Sequence, residues 1–244
     1  MVAKRVFWAV LMERSIQNEA VESLLCIAAR AGVLNYARIA LPYTRCDDAR
    51  NTITRAFMDQ TSQPDDTLVM LDADHEHPKT IIERLVSHNL PVVGALAFTR
   101  LPPHRPCVAF RHNGQMAYPT EWEPYDGPVQ VTIVGSGAIA IQRRVFETLQ
   151  THGYCWPWFR LVYDENEVTQ EGEEVYFGRT CEKAGVSVYC DMGMVTPHLG
   201  LQRVDETTHK EYRARHSMAW EVPQSLKEHI EQLAGLCIPA AQEV

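Results

Sequence analysis

The stretch "LVMLDADHEHP", residues 68–78, decides how the chain is read. Four apolar residues run directly into Asp72-Ala73-Asp74, and His75 and His77 follow. A strand covered on both faces reads as a continuous apolar run. Two carboxylates at its end are expensive to bury alone, because an unpaired charge loses its hydration without compensation. Their placement predicts a ligand there, since open α/β sheets bind ligands at the carboxyl ends of their strands. A strand-to-helix turn capped by Asp74 ahead of Pro78 would show the same short motif, so its surroundings must decide.

Those surroundings alternate strand and helix. "RVFWAVLM" (5–12) is an apolar run of strand length, and "NEAVESLLCIAARAG" (18–32) places Val21, Leu24, Leu25 and Ala28 at helical spacing with Gly32 as a stop. "ARIALPY" (37–43) reads as a second strand. "RCDDARNTITRAFMDQ" (45–60) reads as a helix with Asp47 or Asp48 as N-cap and Ile53 and Phe57 on one face. After the central strand, Pro78 suits the first turn of a helix to about His88, and "PVVGALAF" (91–98) is a fourth strand. The β-α-β-α-β-α-β order predicts an α/β fold with a mostly parallel central sheet and helices on both faces. Asn113-Gly114 predicts a hairpin turn, "VQVTIVGSGAIAIQ" (129–142) a strand broken at Gly135-Ser136-Gly137, and "EGEEVYFGRTCEKAG" (171–185) a helix ended by Gly185. "VSVYCDMG" (186–193) is the last strand. Beyond residue 200 the chain is polar and helical in pattern, with Leu226, Ile230 and Leu233 forming an amphipathic stripe.

Composition removes several classes. A net charge of −8 argues against nucleic acid as an electrostatic partner. No apolar run reaches the roughly 20 residues of a membrane span. The seven cysteines contain no Cys-x-x-Cys pair and no regular spacing, which fits a reducing, cytoplasmic setting better than a disulfide or zinc framework. The first residues read as a strand rather than a leader.

Asp72 and Asp74, one residue apart at a strand end, offer the hard oxygen donors that suit Mg²⁺ or Mn²⁺. Glu173 and Glu174 stand in the first turn of a helix, where carboxylates commonly complement the dipole. His198 follows the last strand. "VMLDADHEHP", "GSGAIAIQRRVF", "EGEEVYFGRTCEKAGVSVYCD" and "PHLG" together resemble, in order and spacing, the motifs of GT-A-fold nucleotide-sugar glycosyltransferases. The likeness is to the family-two-like group, including small bacterial and phage enzymes, over about residues 5 to 200. The resemblance implies a GT-A (Rossmann-like) catalytic domain over 1–200 and a helical C-terminal extension, 201–244, packed on the same domain.

It also implies roles. Asp74 would hold the divalent metal (Mn²⁺ or Mg²⁺) that bridges the donor diphosphate, Asp72 would lie near ribose or metal, and His198 would be a further metal ligand. "DARN" (48–51) resembles the stretch ahead of the D-x-D strand, placing Arg50 and Asn51 near nucleotide or phosphate, although Arg50 could equally be a solvated helix charge. Gly135 and Gly137 would let the backbone approach the sugar, and simple bulge glycines would look alike. Glu174 matches the acceptor-activating base, with Glu173 as the fallback because the family more usually carries Asp there. Trp156, Trp158 and Phe159 are either an acceptor platform or core aromatics. The reading is a metal-dependent glycosyltransferase of hexosyltransferase type, taking a nucleotide-sugar donor (UDP-sugar) and a glycan, lipid-linked or other hydroxyl acceptor, and able to form oligomers. A metal-dependent nucleotidyl- or phosphotransferase, or a non-catalytic nucleotide-sugar binder, are the alternatives.

Overall fold

The apolar runs form strands, and a computed structural model places them; it describes residues 4–11, 16–40, 44–119, 125–166, 169–200, 203–216 and 224–235. In chain order the first elements are β1 (Val6–Leu11), α1 (Asn18–Val33), β2 (Ala37–Arg38), α2 (Cys46–Gln60), β3 (Thr67–Asp72), α3 (Ile81–Ser87) and β4 (Val92–Leu96). A small hairpin follows, β5 (Val108–His112) and β6 (Gln115–Ala117), then β7 (Pro128–Val131), β8 (Ile133–Val134), β9 (Ala138–Gln142) and α4 (Arg143–Thr151). The rest is β10 (Val162–Tyr163), β11 (Thr169–Glu171), α5 (Glu173–Lys183), β12 (Val188–Val195), α6 (Glu206–His216) and α7 (Gln224–Gly235).

Seven strands form one sheet in the order β2-β1-β3-β9-β4-β12-β7. β1 pairs in parallel with β2 and β3, and β4 with β12, while β9 runs antiparallel between β3 and β4 and β7 closes the far edge antiparallel. Period-two alternation assigns β3 to two cores at once. Leu68 and Met70 face a cluster with Ile53, Phe57, Phe146 and Phe177, and Val69 and Leu71 face another with Ile27, Ile81 and Leu85. Both sides of the sheet are therefore covered, which is why β3 is apolar from Leu68 to Leu71, between Thr67 at its start and Asp72 at its end.

Several sequence expectations need correction. "VQVTIVGSGAIAIQ" is not one broken strand. The Gly135–Gly137 turn separates β8, in the small sheet with β5 and β6, from β9, which inserts into the main sheet. Gly135 N–H donates to Cys107 O (2.6 Å) and Asp72 N–H to Gly137 O (2.8 Å), so the turn is pinned between the two sheets. On α1 the buried residues are Ala20, Ile27 and Ala31, whereas Leu25 is 65% exposed; the alanines let the helix approach the sheet closely. Gly32 lies inside that helix, and Asn35, at φ 54°, takes the left-handed position beyond it. α2 begins one residue before the expected caps, and Asp47 instead pairs with Arg45 Nε (2.6 Å). The second strand is only Ala37–Arg38 long among the described residues. Asn113 and Gly114 both have positive φ, as a tight hairpin turn requires. Ile230 and Leu233 of α7 pack against the main core, and the Leu226 side chain lies outside the described residues.

Candidate functional site

At the carboxyl ends of β3 and β4 lies a cleft of about 640 Å³. Asp72, Asp74 and His75 line one wall and Glu173 and Glu174 another, with Arg50, Arg100, Cys107, the Gly135–Gly137 turn and His198 between them. Backbone pairing brings the distant His198 here. Glu76 N–H donates to Pro197 O (2.9 Å) and Leu199 N–H to Asp74 O (2.7 Å), forming a short antiparallel bridge that sets His75 against His198. Their rings stack at 4.1 Å.

The side chains then converge. His75 Nδ1 lies 2.9 Å from Asp74 Oδ1, and His198 Nε2 lies 3.0 Å from Asp74 Oδ2. The Phe98 carbonyl lies 3.2 Å from His198 Nδ1 and accepts its proton, which leaves Nε2 a bare lone pair facing a carboxylate. Two electron-pair donors so close call for a cation between them. The Arg100 guanidinium supplies one, donating from Nε to His198 Nε2 (2.9 Å) and pairing with Asp74. One ligand atom from each of Asp74, His75 and His198 lies within 4.8 Å of the others. One carboxylate and two imidazoles are a set that a divalent transition ion accepts. Behind them His77 Nε2 donates to Asp72 O (2.8 Å), fixing the turn; burial pushes its ring down to about 3, so it stays neutral.

Opposite stands a carboxylate network. Arg50 of α2 is 1% exposed. Its Nη2 reaches both oxygens of Asp72 at 2.9 Å, and its Nε donates to Glu173 Oε1 at 3.2 Å. Burial opposes the guanidinium charge, yet Asp72 and Glu173 raise its affinity for the proton above the ordinary value. Glu173 and Glu174 open α5 behind Gly172, where a Cβ would come within 2.6 Å of the Glu174 carboxylate. Burial first, then the charge of Glu173 and a hydrogen bond to it, push the Glu174 carboxyl up to about 7. That matches the poise of a general base at neutral pH.

No protein-family model and no curated protein matches this sequence. Solved structures do. A197 from STIV aligns with a TM-score of 0.52 at 17% identity, over 80% of this chain and 86% of that one. Together with the sheet order and the acidic end of β3, this decides the architecture. The chain has the GT-A fold. More distant likenesses include a Drosophila galactosyltransferase 7 mutant in complex with manganese, UDP-Gal and xylobiose (TM-score 0.42, 12% identity, 93% of this chain and 79% of that one). Another is the inositol-1-phosphate CTP transferase from T. maritima (TM-score 0.40, 9% identity, 86% and 94%). At these distances a likeness describes architecture, and the chemistry must come from the residues of this GT-A cleft.

The cleft gathers Arg50, Asp72, Asp74, Gly135, Gly137, Glu173, Glu174 and His198. Some expected roles do not fit where the side chains lie. Both Asp72 oxygens are taken by Arg50, so Asp72 stands outside the cation cluster and His75 takes its place. Arg50 is no solvated charge, because Asp72 and Glu173 compensate its burial. Asn51 turns from the cleft and bonds Phe159 on both backbone atoms (2.7 and 3.1 Å), a structural tie. Trp158 and Phe159 are 5% and 1% exposed and pack on Phe146 and Phe177, which excludes them from an acceptor platform. Trp156 is 48% exposed under Arg55. A Cβ at Gly137 would sit 2.6 Å from His75 Nε2, and one at Gly135 would sit 2.8 Å from Cys107 Cβ, so both glycines are required by the wall of the GT-A cleft itself.

Sequence reading missed His75 and Arg100. Strand alternation would send His75 away from Asp74, but the chain leaves β3 at Asp72, and the alternation ends there. Nothing local marks Arg100, whose partners lie 26 and 98 residues away. Because Arg100 occupies the cation position, Arg100→Ala is expected to tighten Mn²⁺ binding about fivefold, the scale of a half-exposed ion pair. Calorimetric titration with Mn²⁺ checks this.

Proposed function

We propose that this protein is a metal-dependent glycosyltransferase that moves a sugar from a nucleotide-diphosphate donor, a UDP-sugar, to an acceptor hydroxyl. The observation that carries the reading is one cleft holding a cation-demanding cluster, Asp74-His75-His198, on one wall and a carboxyl poised near neutrality, Glu174, on the other. Asp74, His75 and His198 would hold the ion. A divalent ion bound there would supply charge neutralisation for a departing diphosphate. The two imidazoles favour Mn²⁺ over Mg²⁺.

Glu174 accepts the proton of the acceptor hydroxyl as its oxygen bonds to the anomeric carbon. The bond from that carbon to the diphosphate oxygen breaks, and the nucleoside diphosphate leaves with the electron pair. Gly135 and Gly137 keep the floor of the cleft free of side chains. Helix α5 points its N-terminus into the site, and its partial positive charge favours anionic Glu174 once the proton is passed on.

The test is UDP release from a panel of UDP-sugars with Mn²⁺, with and without EDTA. Metal-dependent release from one donor, accelerated by a glycan acceptor, is the expected result. Synthesis of a nucleotide sugar from a nucleoside triphosphate and a sugar phosphate would contradict it in favour of nucleotidyl transfer. Nucleotide binding without turnover of any donor would contradict it in favour of a binding protein.

A further inference from the structure

We propose that Arg50 is a positioning residue for the base: by clamping Glu173 it keeps the negative charge of the paired glutamates on Glu173, so that the acceptor proton goes to Glu174. The inference rests on the role given to Glu174 above.

The geometry allows little else. The two carboxyl groups are neighbours in the first turn of α5, in contact with each other and largely out of water, so the pair resists losing its second proton. Which residue holds it depends on what each faces. Glu173 faces Arg50 Nε at 3.2 Å. The same guanidinium is locked by two 2.9 Å bonds to Asp72 at the end of β3, so it cannot swing towards Glu174. Glu174 faces Gly172, Cys107 and the open cleft instead, and it feels the Arg50 charge through space while the hydrogen bond goes to Glu173. Cys107 brings no competing charge, since burial pushes its thiol up to about 12, and Arg105 acts on that thiol only at a distance. On the inner side of α5, Gly178 packs on Thr132 O and Ile133, and Cys46, whose thiol burial pushes up to about 11, lies near Glu173 without adding a charge. Arg50 thus ties three elements, α2, the end of β3 and the start of α5, and separates two adjacent glutamates into a fixed charge and a mobile proton acceptor.

Carboxyl titration followed by carbon NMR, on protein labelled at the glutamate side-chain carboxyls, tests this without donor or metal. Loss of one signal in Glu174→Gln and another in Glu173→Gln assigns the pair. In wild type the transition near 7 should belong to the Glu174 carbon. In Glu173→Gln, which can still accept from Arg50 through its amide oxygen, the Glu174 midpoint should fall towards the ordinary carboxylate range. In Arg50→Lys the ammonium cannot span Asp72 and Glu173 together, and the transition should no longer belong to the Glu174 carbon alone. If that variant does not fold, wild type and Glu173→Gln decide. A wild-type Glu173 carbon that titrates near neutrality, or a Glu174 midpoint unmoved by Glu173→Gln, overturns the proposal. The readout is independent of turnover: a fixed charge on Glu173 with no sugar transfer from any donor would remove the glycosyltransferase reading and leave the charge division standing.

Discussion

Glu174→Gln is expected to lower kcat by about 10²–10⁴-fold, the contribution of a positioned general base, while leaving donor binding intact. Gln keeps the size of the side chain and removes its ability to take a proton, so loss of kcat with unchanged calorimetric affinity isolates the proton transfer. The pH profile follows from the same environment. Burial and Glu173 push the Glu174 carboxyl up to about 7, and only its ionised form accepts a proton. Wild-type kcat/KM should therefore be flat above that point and fall tenfold for each pH unit below it. Full activity in Glu174→Gln, or a profile flat down to pH 5, would remove Glu174 from the reaction.

Asp191→Ala is expected to destabilise the fold by about 3 kcal/mol, the low end for breaking a buried ion pair. Asp191 of β12 is fully buried; Arg84 reaches it through Nε at 2.6 Å and Nη2 at 2.8 Å, and His88 Nε2 lies 2.7 Å away. Removing the carboxylate leaves both basic groups of the α3 region without it, and Arg84 recovers some hydration because a third of its side chain is exposed. Burial raises the Asp191 carboxyl, but the bonds from His88 and Arg84 win and bring it down to about 2. A carboxyl lowered on folding contributes stability above its unfolded pKa and loses it as pH falls through the folded value. The mutant should thus differ most from wild type near neutrality and least around pH 2. Urea unfolding with an unchanged slope and a lowered midpoint would show the loss as one of stability rather than of compactness.

Much of this was legible before the structure. The apolar runs of β1, β3 and β4 need cover on both faces, which demands helices on each side, and a parallel sheet then puts Asp72 and Asp74 at its binding edge. Glu173 and Glu174 were legible as a pair in a first turn, and His198 as a residue just past a strand. What stayed hidden depends on pairing across long stretches of chain. β9 inserts antiparallel between β3 and β4, and nothing in "GAIAIQ" names its neighbours. A helix arginine such as Arg50 is ordinarily solvated; it is buried here only because two carboxylates from β3 and α5 arrive at the same point. His75 joins the cation cluster because the backbone bridge to His198 turns it there, and Trp158 and Phe159 are core because Asn51 holds their loop inward.

The most direct measurement is calorimetric titration of UDP in Mn²⁺ and again in EDTA, on wild type and Asp74→Ala. Binding in Mn²⁺ that disappears both in EDTA and in Asp74→Ala is the predicted result, because Asp74 is the one carboxylate in the cation cluster. UDP binding that is indifferent to EDTA and to Asp74, or no binding in any condition, would contradict the account.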